Sequence, residues 1–337
     1  MNKFIKATSL IGNHYMNPIK VNLSPPNGYR SRCEFGYLDS FYTMFDAYGN
    51  IQHIEVFTIA RPVIQHLMPK LRNIINKSKF LNNKLFQVNF RTNSDDHVLT
   101  TLIFHKKLNE EMKVEATKIS QELNIDINLR SRKDLFSTGN DLLVDVLNVN
   151  NIHLYQSDQS FYQPNHFHMP KMIDKAIEYI DEPFDLLELY CGSGTFTLPL
   201  SSIFKNVFAT ESNRQSIKCI TKSISDLKIK NIKHARLSAE EISEAFNGKI
   251  FRRMASIDIT DYNFSHILVD PPRSGLGEDV IPLLKKFKNI IYISCNYETY
   301  IKDLKMLSDY KIENIEIFDQ FPNTPHLEIV SVIKNSF

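Results

Sequence analysis

Short apolar runs alternate with helical stretches through the second half of the chain: Leu186 to Tyr190, Val207 to Thr210, Ile232 to Ala235, Ile267 to Val269 and Ile290 to Ser294. That rhythm predicts a doubly wound, parallel α/β sheet, in which ligands bind at the carboxyl ends of the strands. Ile312 to Asp319 and Ile329 to Ile333 add two further strands with a loop between them. The first half has a different pattern. Tyr29, Ser31, Cys33 and Phe35 alternate with Arg30, Arg32 and Glu34, which predicts a strand with one apolar and one basic face. Asp46 to Asn50 supplies a turn before a second strand from Ile51. Pro62 opens a helix whose stripe is Ile64, Leu67, Leu71, Ile74 and Ile75. Phe86 to Arg91 and Val98 to His105 read as strands, and Asn109 caps a helix with Glu110 and Glu111 in its first turn. The mixture predicts an α+β domain over residues 1–155, ahead of the α/β domain at 156–337.

Length supports that division, because 337 residues exceed the usual single core. Charge distinguishes the halves: residues 1–150 carry 19 Lys+Arg against 14 Asp+Glu, whereas 151–337 carry 21 against 24. A basic front half suits a nucleic-acid partner, although ordinary scatter of surface charge accounts for it equally well. Four scattered cysteines, Cys33, Cys191, Cys219 and Cys295, offer neither a disulfide framework nor an iron-sulfur site. His166 and His168 are spaced like a metal pair but lack further ligands, so no metal is expected. With no signal-like N-terminus and no bilayer-length apolar run, the expected setting is the cytoplasm, with no membrane contact.

The chemistry gathers at the predicted strand ends. Glu188-Leu189-Tyr190-Cys191-Gly192-Ser193-Gly194-Thr195-Phe196 is a glycine-bearing turn, of a kind that lets backbone approach a nucleotide-like ligand. Thr197 stands where a dinucleotide fingerprint needs a third glycine, which disfavours a nicotinamide or flavin dehydrogenase. Glu211, at the next strand end, is placed to accept ribose hydroxyls, as in a nucleoside-containing cofactor such as S-adenosylmethionine. Asp270-Pro271-Pro272-Arg273 sets a carboxylate in a stiff loop. An aromatic after the prolines would indicate methylation of an exocyclic base amine; Arg273 stands there instead, suited to a phosphate or a base carbonyl. Cys295, after Ile291 to Ser294, is a candidate nucleophile whose pKa a helix N-terminus is expected to lower.

Five segments in order (Ser160 to Asn165, Asp185 to Gly192, Asp270 to Gly275, Ser294-Cys295-Asn296 and Thr324 to Glu328) resemble the RNA uracil-5-methyltransferases that use S-adenosylmethionine. Tyr29 to Phe35 and Leu102 to Leu108 extend the resemblance to the bacterial tRNA branch, which makes 5-methyluridine in the T-loop. The resemblance implies a class I, Rossmann-like methyltransferase domain behind an RNA-binding domain. It implies Cys295 as the nucleophile at uracil C6 and Glu328 as the base that removes the C5 proton. Gln163, Tyr190, Glu211 and Asp270 match the family's cofactor contacts; Thr195 is the fifth, where that branch more usually has asparagine. No iron-sulfur cluster is implied, and the expected partner is the T-arm of tRNA, bound by a monomer without a protein partner. The expected grip on RNA is Arg30, Arg32, Lys106 and Lys107, with Tyr29 and Phe104 to stack on displaced bases. Two alternatives remain at this level: the same chemistry on ribosomal or another T-loop-like RNA, and an RNA-binding folding helper with little catalysis.

Overall fold

A computed structural model of the chain describes residues 3–147 and 151–335. It begins with two elements outside the predicted set, α1 (Lys3–Ile11) and β1 (Lys20–Asn22). The chain then forms β2 (Arg32–Leu38), β3 (Phe41–Phe45), β4 (Ile51–Ile54), α2 (Pro62–Lys77), β5 (Leu85–Thr92), β6 (Val98–Phe104), α3 (Glu110–Leu123), β7 (Asp126–Arg130) and β8 (Leu135–Ser137). β9 (Leu143–Leu147) and β10 (Ile152–Gln156) form a two-stranded ribbon. The remainder is α4 (Met169–Glu178), β11 (Asp185–Leu189), α5 (Thr197–Leu200), β12 (Asn206–Thr210), α6 (Arg214–Asp226), β13 (Ile232–Ala235), α7 (Ala239–Phe246), β14 (Phe264–Val269), α8 (Ile281–Leu284), β15 (Asn289–Ser294), α9 (Tyr297–Met306), β16 (Tyr310–Phe318) and β17 (Glu328–Asn335).

Residues 25–146 and 155–158 form a smaller unit; the described parts of 1–24, 147–154 and 159–337 form a larger one. Residues 3–24 therefore belong with the larger unit and not with the predicted N-terminal domain. The reason is edge pairing. β1 lies parallel to β16, with Val21 opposite Ile317, and α1 buries Ala7 and Ile11 in the larger unit's core. That assignment removes Lys3, Lys6 and Lys20 from the basic half. The smaller unit then carries 16 Lys+Arg against 15 Asp+Glu, a net charge of +1, and the bulk charge asymmetry disappears.

The smaller unit is a seven-stranded sheet, ordered β4-β3-β2-β5-β6-β7-β8. Alternation sends Cys33, Phe35, Val88, Phe90, Leu102 and Ile127 into a core shared with Ile64, Leu67 and Leu71 of α2 and with Met112 and Ala116 of α3. Each large side chain removed from water there contributes about 1.5–3 kcal/mol. Asn109 caps α3, its side chain accepting from the Met112 amide at 3.1 Å. The opposite sheet face carries both signs of charge: Arg32 pairs with Glu34 at 2.5 Å, and Arg130 with Asp158 at 2.7 Å.

The larger unit holds an eight-stranded sheet, ordered β1-β16-β17-β15-β14-β11-β12-β13. β11 through β15 run parallel, as the apolar rhythm requires. β17 reverses direction, antiparallel to both β15 and β16. That reversal shapes the site, because Ser294 at the carboxyl end of β15 pairs with Ile329 near the start of β17. Cys295 and Glu328, each the next residue outward from that pair, are brought to the same end of the sheet.

Candidate active site

Four parallel strands end on chemistry-bearing residues: β11 before Tyr190, β12 before Glu211, β14 before Asp270 and β15 before Cys295. The turn after β11 bends sharply, with positive φ at Tyr190 (59°), Gly192 (55°) and Gly194 (94°). A Cβ on Gly192 would lie 3.2 Å from the Phe161 carbonyl, and one on Gly194 3.0 Å from Ile220. The glycines are thus required first by backbone geometry and protein packing. Glu211 ties this turn to the next strand end: one carboxylate oxygen accepts from the Gly192 amide at 3.0 Å, the other from the Asn213 amide at 2.6 Å. Thr195 is buried within the turn.

Gln163 comes from the segment ahead of α4 and is also buried. Its amide nitrogen donates to Asp270 at 3.2 Å, and its oxygen accepts from Gln320 at 2.7 Å, so the amide can face only one way. Desolvation pushes Asp270 up to about 7; the Gln163 bond opposes the rise and the Glu211 charge adds to it. A carboxylate so destabilised is a place for a cation. Glu211 still has lone pairs for hydroxyls. Together the pair fits a ligand with a ribose and a positive charge, and the donor set suits S-adenosylmethionine.

Cys295 lies on a cavity of about 320 Å³ whose wall includes Lys6, Arg273, Asn296, Pro325, His326 and Leu327. Asn296 caps α9, accepting from the Glu298 amide at 3.0 Å, and also holds the Arg273 carbonyl at 3.1 Å. The helix terminus expected to acidify the thiol is therefore in place, but it does not prevail. Burial, followed by the charges of Glu328 and Asp270, pushes Cys295 up to about 12, with Arg273 opposing. Glu328 is raised well above the usual carboxylate range by burial and by Asp270. It is the first residue of β17, paired with Phe318 and buried, not part of an exposed loop.

Alkylation of the free protein checks this electrostatic picture. Iodoacetamide should modify Cys295 slowly at neutral pH, with the rate climbing about tenfold per pH unit toward 12, because a raised pKa keeps the thiol protonated below it. Cys33, Cys191 and Cys219 are buried and do not compete. A plateau reached near pH 8.5 would contradict the charge cluster.

The smaller unit corrects the expected RNA grip. Tyr29 and Phe104 are core residues, 1% and 2% exposed, and cannot stack on a base. Arg32 is occupied by Glu34, and Lys106 donates to the Phe80 carbonyl at 2.7 Å. Exposed instead is Phe86, 49% accessible, its ring stacked on His105 with centroids 4.1 Å apart. The β5–β6 pairing that joins these two is a tertiary feature, which is why the linear reading passed over Phe86.

Among the described residues no group of three or more His, Cys, Asp or Glu could hold a metal ion, and no helix is long and apolar enough to cross a membrane. A doubly wound sheet with a glycine turn, two carboxylates and a cysteine at its strand ends defines the class I methyltransferase fold. Comparison with known proteins narrows the class. Residues 1–335 match the tRNA (uracil-5-)-methyltransferase family, and the chain belongs to it. It is an RNA uracil C5-methyltransferase. It is 40% identical over 326 residues to a tRNA/tmRNA (uracil-C(5))-methyltransferase of Saccharophagus degradans, covering 93% of this chain and 89% of the relative. A protein of the same name from Acinetobacter baylyi is 41% identical over 326 residues, covering 92% and 90%. A solved structure of a Pyrococcus abyssi tRNA (uracil-54, C5)-methyltransferase in complex with S-adenosyl-L-homocysteine shares the fold, with a TM-score of 0.77, 20% identity, and coverage of 98% of this chain and 81% of that one.

Proposed function

We propose that this enzyme methylates C5 of the T-loop uridine of tRNA through a covalent adduct, with Cys295 as nucleophile and Glu328 as base. The observation that carries the reading is the placement of Cys295 and Glu328 together at one end of the sheet, beside Asp270. Gln163, Tyr190, Glu211 and Asp270 hold S-adenosylmethionine, with Thr195 lining the turn beneath it. Bound there, the donor supplies the methyl group and a positive charge that opposes the charges keeping Cys295 and Glu328 protonated.

Uracil C5 is a poor nucleophile, and the thiol removes that obstacle. With the donor's charge in place, Cys295 gives up its proton to solvent in the cavity it borders, and the thiolate adds to C6, forming the S–C6 bond and moving an electron pair onto the C5–C4–O4 enolate. Arg273, on the cavity wall, is a cation suited to that oxygen or to an RNA phosphate. C5 takes the methyl group of the methyl donor, whose S–CH3 bond would break with its electron pair returning to sulfur to leave S-adenosylhomocysteine, and C5 becomes tetrahedral. Glu328 then accepts the C5 proton, the electron pair re-forms the C5–C6 double bond, and the S–C6 bond breaks to return the thiolate. A base with a raised pKa suits this step, since it holds the proton it receives.

The test is RNA carrying 5-fluorouridine at the target. Fluorine cannot leave as a proton, so enzyme, RNA and S-adenosylmethionine should accumulate as a complex that survives denaturing electrophoresis. Absence of that complex with the native protein would rule out the covalent route.

The target uridine has to leave its stack to reach a cavity, at a cost of about a few kcal/mol. The Phe86–His105 pair on the smaller unit is proposed as a platform for RNA bases, with the exposed Lys107 two residues along the chain from His105. Base stacking on an aromatic ring contributes about 1–3 kcal/mol, so Phe86→Ala should weaken T-arm binding roughly tenfold or more while leaving S-adenosylmethionine affinity unchanged. Titration of labelled T-arm RNA checks this; unchanged affinity would remove Phe86 from the interface.

A further inference from the structure

α1 reaches the site from outside every motif described above. Lys3 Nζ donates to the carbonyl of Phe321 at 2.9 Å and to that of His326 at 2.8 Å, and lies 2.5 Å from Asp319 Oδ1. An ammonium has three N–H donors and no acceptor. Two are committed to carbonyls near the beginning and the end of one stretch of chain, and the charge is paired with the Asp319 carboxylate at its start. The two charged side chains are 12% and 10% exposed, so little water competes for these bonds. Lys6, one turn along the same helix, shows the contrast: it pairs with Glu298 while 51% exposed, an ordinary surface ion pair.

The stretch that Lys3 binds connects β16 to β17 and ends on Glu328. Within it, Gln320 N donates to Phe318 O at 2.8 Å and Thr324 N to Phe321 O at 3.3 Å, and the Thr324 hydroxyl joins the Phe321 carbonyl, at 2.7 Å, to the His326 amide, at 3.2 Å, while Pro322 and Pro325 have no N–H to give. The ammonium adds the charged link between the two ends of the loop, holding the Phe321 and His326 carbonyls beside the Asp319 carboxylate. His326 and Leu327, immediately before Glu328, also line the cavity that holds Cys295.

We propose that Lys3 is a positioning residue for proton removal: its ammonium fastens residues 319–326 into one conformation and so sets the reach of the Glu328 carboxylate toward C5. The inference rests on the proposed role of Glu328 as the base. Addition of Cys295 and transfer of the methyl group precede that step and do not need the carboxylate. Loss of Lys3 should consequently slow resolution of the adduct more than its formation, a pattern that general destabilisation does not produce.

The experiment uses the full chain with Lys3→Met, which keeps the length of the side chain and removes charge and donors. On T-arm RNA with ordinary uridine, turnover should fall about 10- to 100-fold, the scale of a carboxylate misplaced by about 1 Å, and a covalent RNA complex should accumulate. The rate of 5-fluorouridine trapping should stay within about twofold of wild type, which also certifies the fold. Lys3→Arg keeps the charge against Asp319 but cannot aim donors at both carbonyls from one nitrogen, and should give an intermediate defect; it serves as the test if the methionine variant does not fold. Parallel loss of trapping and turnover, or no accumulation in either variant, overturns the proposal. Glu328→Gln run alongside separates the two readings. If it accumulates adduct and the Lys3 variants do not, only the Lys3 inference fails; if it does not accumulate adduct, the role of Glu328 fails and the inference falls with it.

Discussion

Cys295→Ala is expected to abolish methyl transfer, lowering turnover by at least about 10⁴-fold, and to eliminate the covalent complex with 5-fluorouridine RNA. The loss is large because no other group among the described residues can replace the thiol. Cys33, Cys191 and Cys219 are buried, and without an adduct at C6 the uracil C5 does not attack a methyl group at a useful rate. Stability should change little, since Cys295 borders a cavity and is only half-buried, so truncation opens no void in the core. Affinity for S-adenosylmethionine should be retained, as Gln163, Glu211 and Asp270 are untouched. Removal of a thiol that raises no charge of its own leaves their electrostatics as they were. Turnover is read by transfer of labelled methyl into RNA, binding by calorimetry. A variant that still forms the complex would remove Cys295 from the mechanism.

Glu328→Gln should have the opposite signature, in which turnover collapses while the covalent complex builds up on ordinary uridine. Glutamine has nearly the same shape as the carboxyl group it replaces. It cannot take up a proton, whereas Glu328 can once a bound cation offsets the burial and the Asp270 charge that hold its own proton on. Binding, thiol addition and methyl transfer should therefore proceed, and the C5 proton should then have no acceptor. The loss expected from removing a general base is about 10²–10⁴-fold. Mass spectrometry of the trapped complex should find RNA carrying the methyl group and still bonded to Cys295. Turnover near wild type, or a collapse without any complex, would assign the proton to another group.

These outcomes depend on features of unequal visibility in the amino-acid order. The strands β11 to β15 were legible because buried parallel strands are continuous apolar runs, and the residues that follow each one are where such a sheet binds ligands. Cys295, Asp270 and Glu211 could be singled out for that reason alone. Glu328 could not, because nothing in Pro325-His326-Leu327-Glu328 marks a buried acid. It was identified only through resemblance, and its burial and strand position come from the antiparallel pairing of β17 with β15. The thiol's pKa was expected to fall, on the local argument of a helix terminus. It rises instead, because desolvation and two carboxylates from distant segments outweigh that terminus.

The sequence by itself determined the class of fold in the second half, the strand ends that carry the chemistry and, through its ordered motifs, the family. Local periodicity and turn composition encode those features within a few residues of each other. Tertiary structure alone decided that residues 3–24 join the larger unit, that Tyr29 and Phe104 are core while Phe86 faces solvent, and that Lys3 grips the segment before Glu328. Each of these depends on pairing between segments far apart in the chain. Burial and charge interaction are set by such pairing, not by neighbours in sequence.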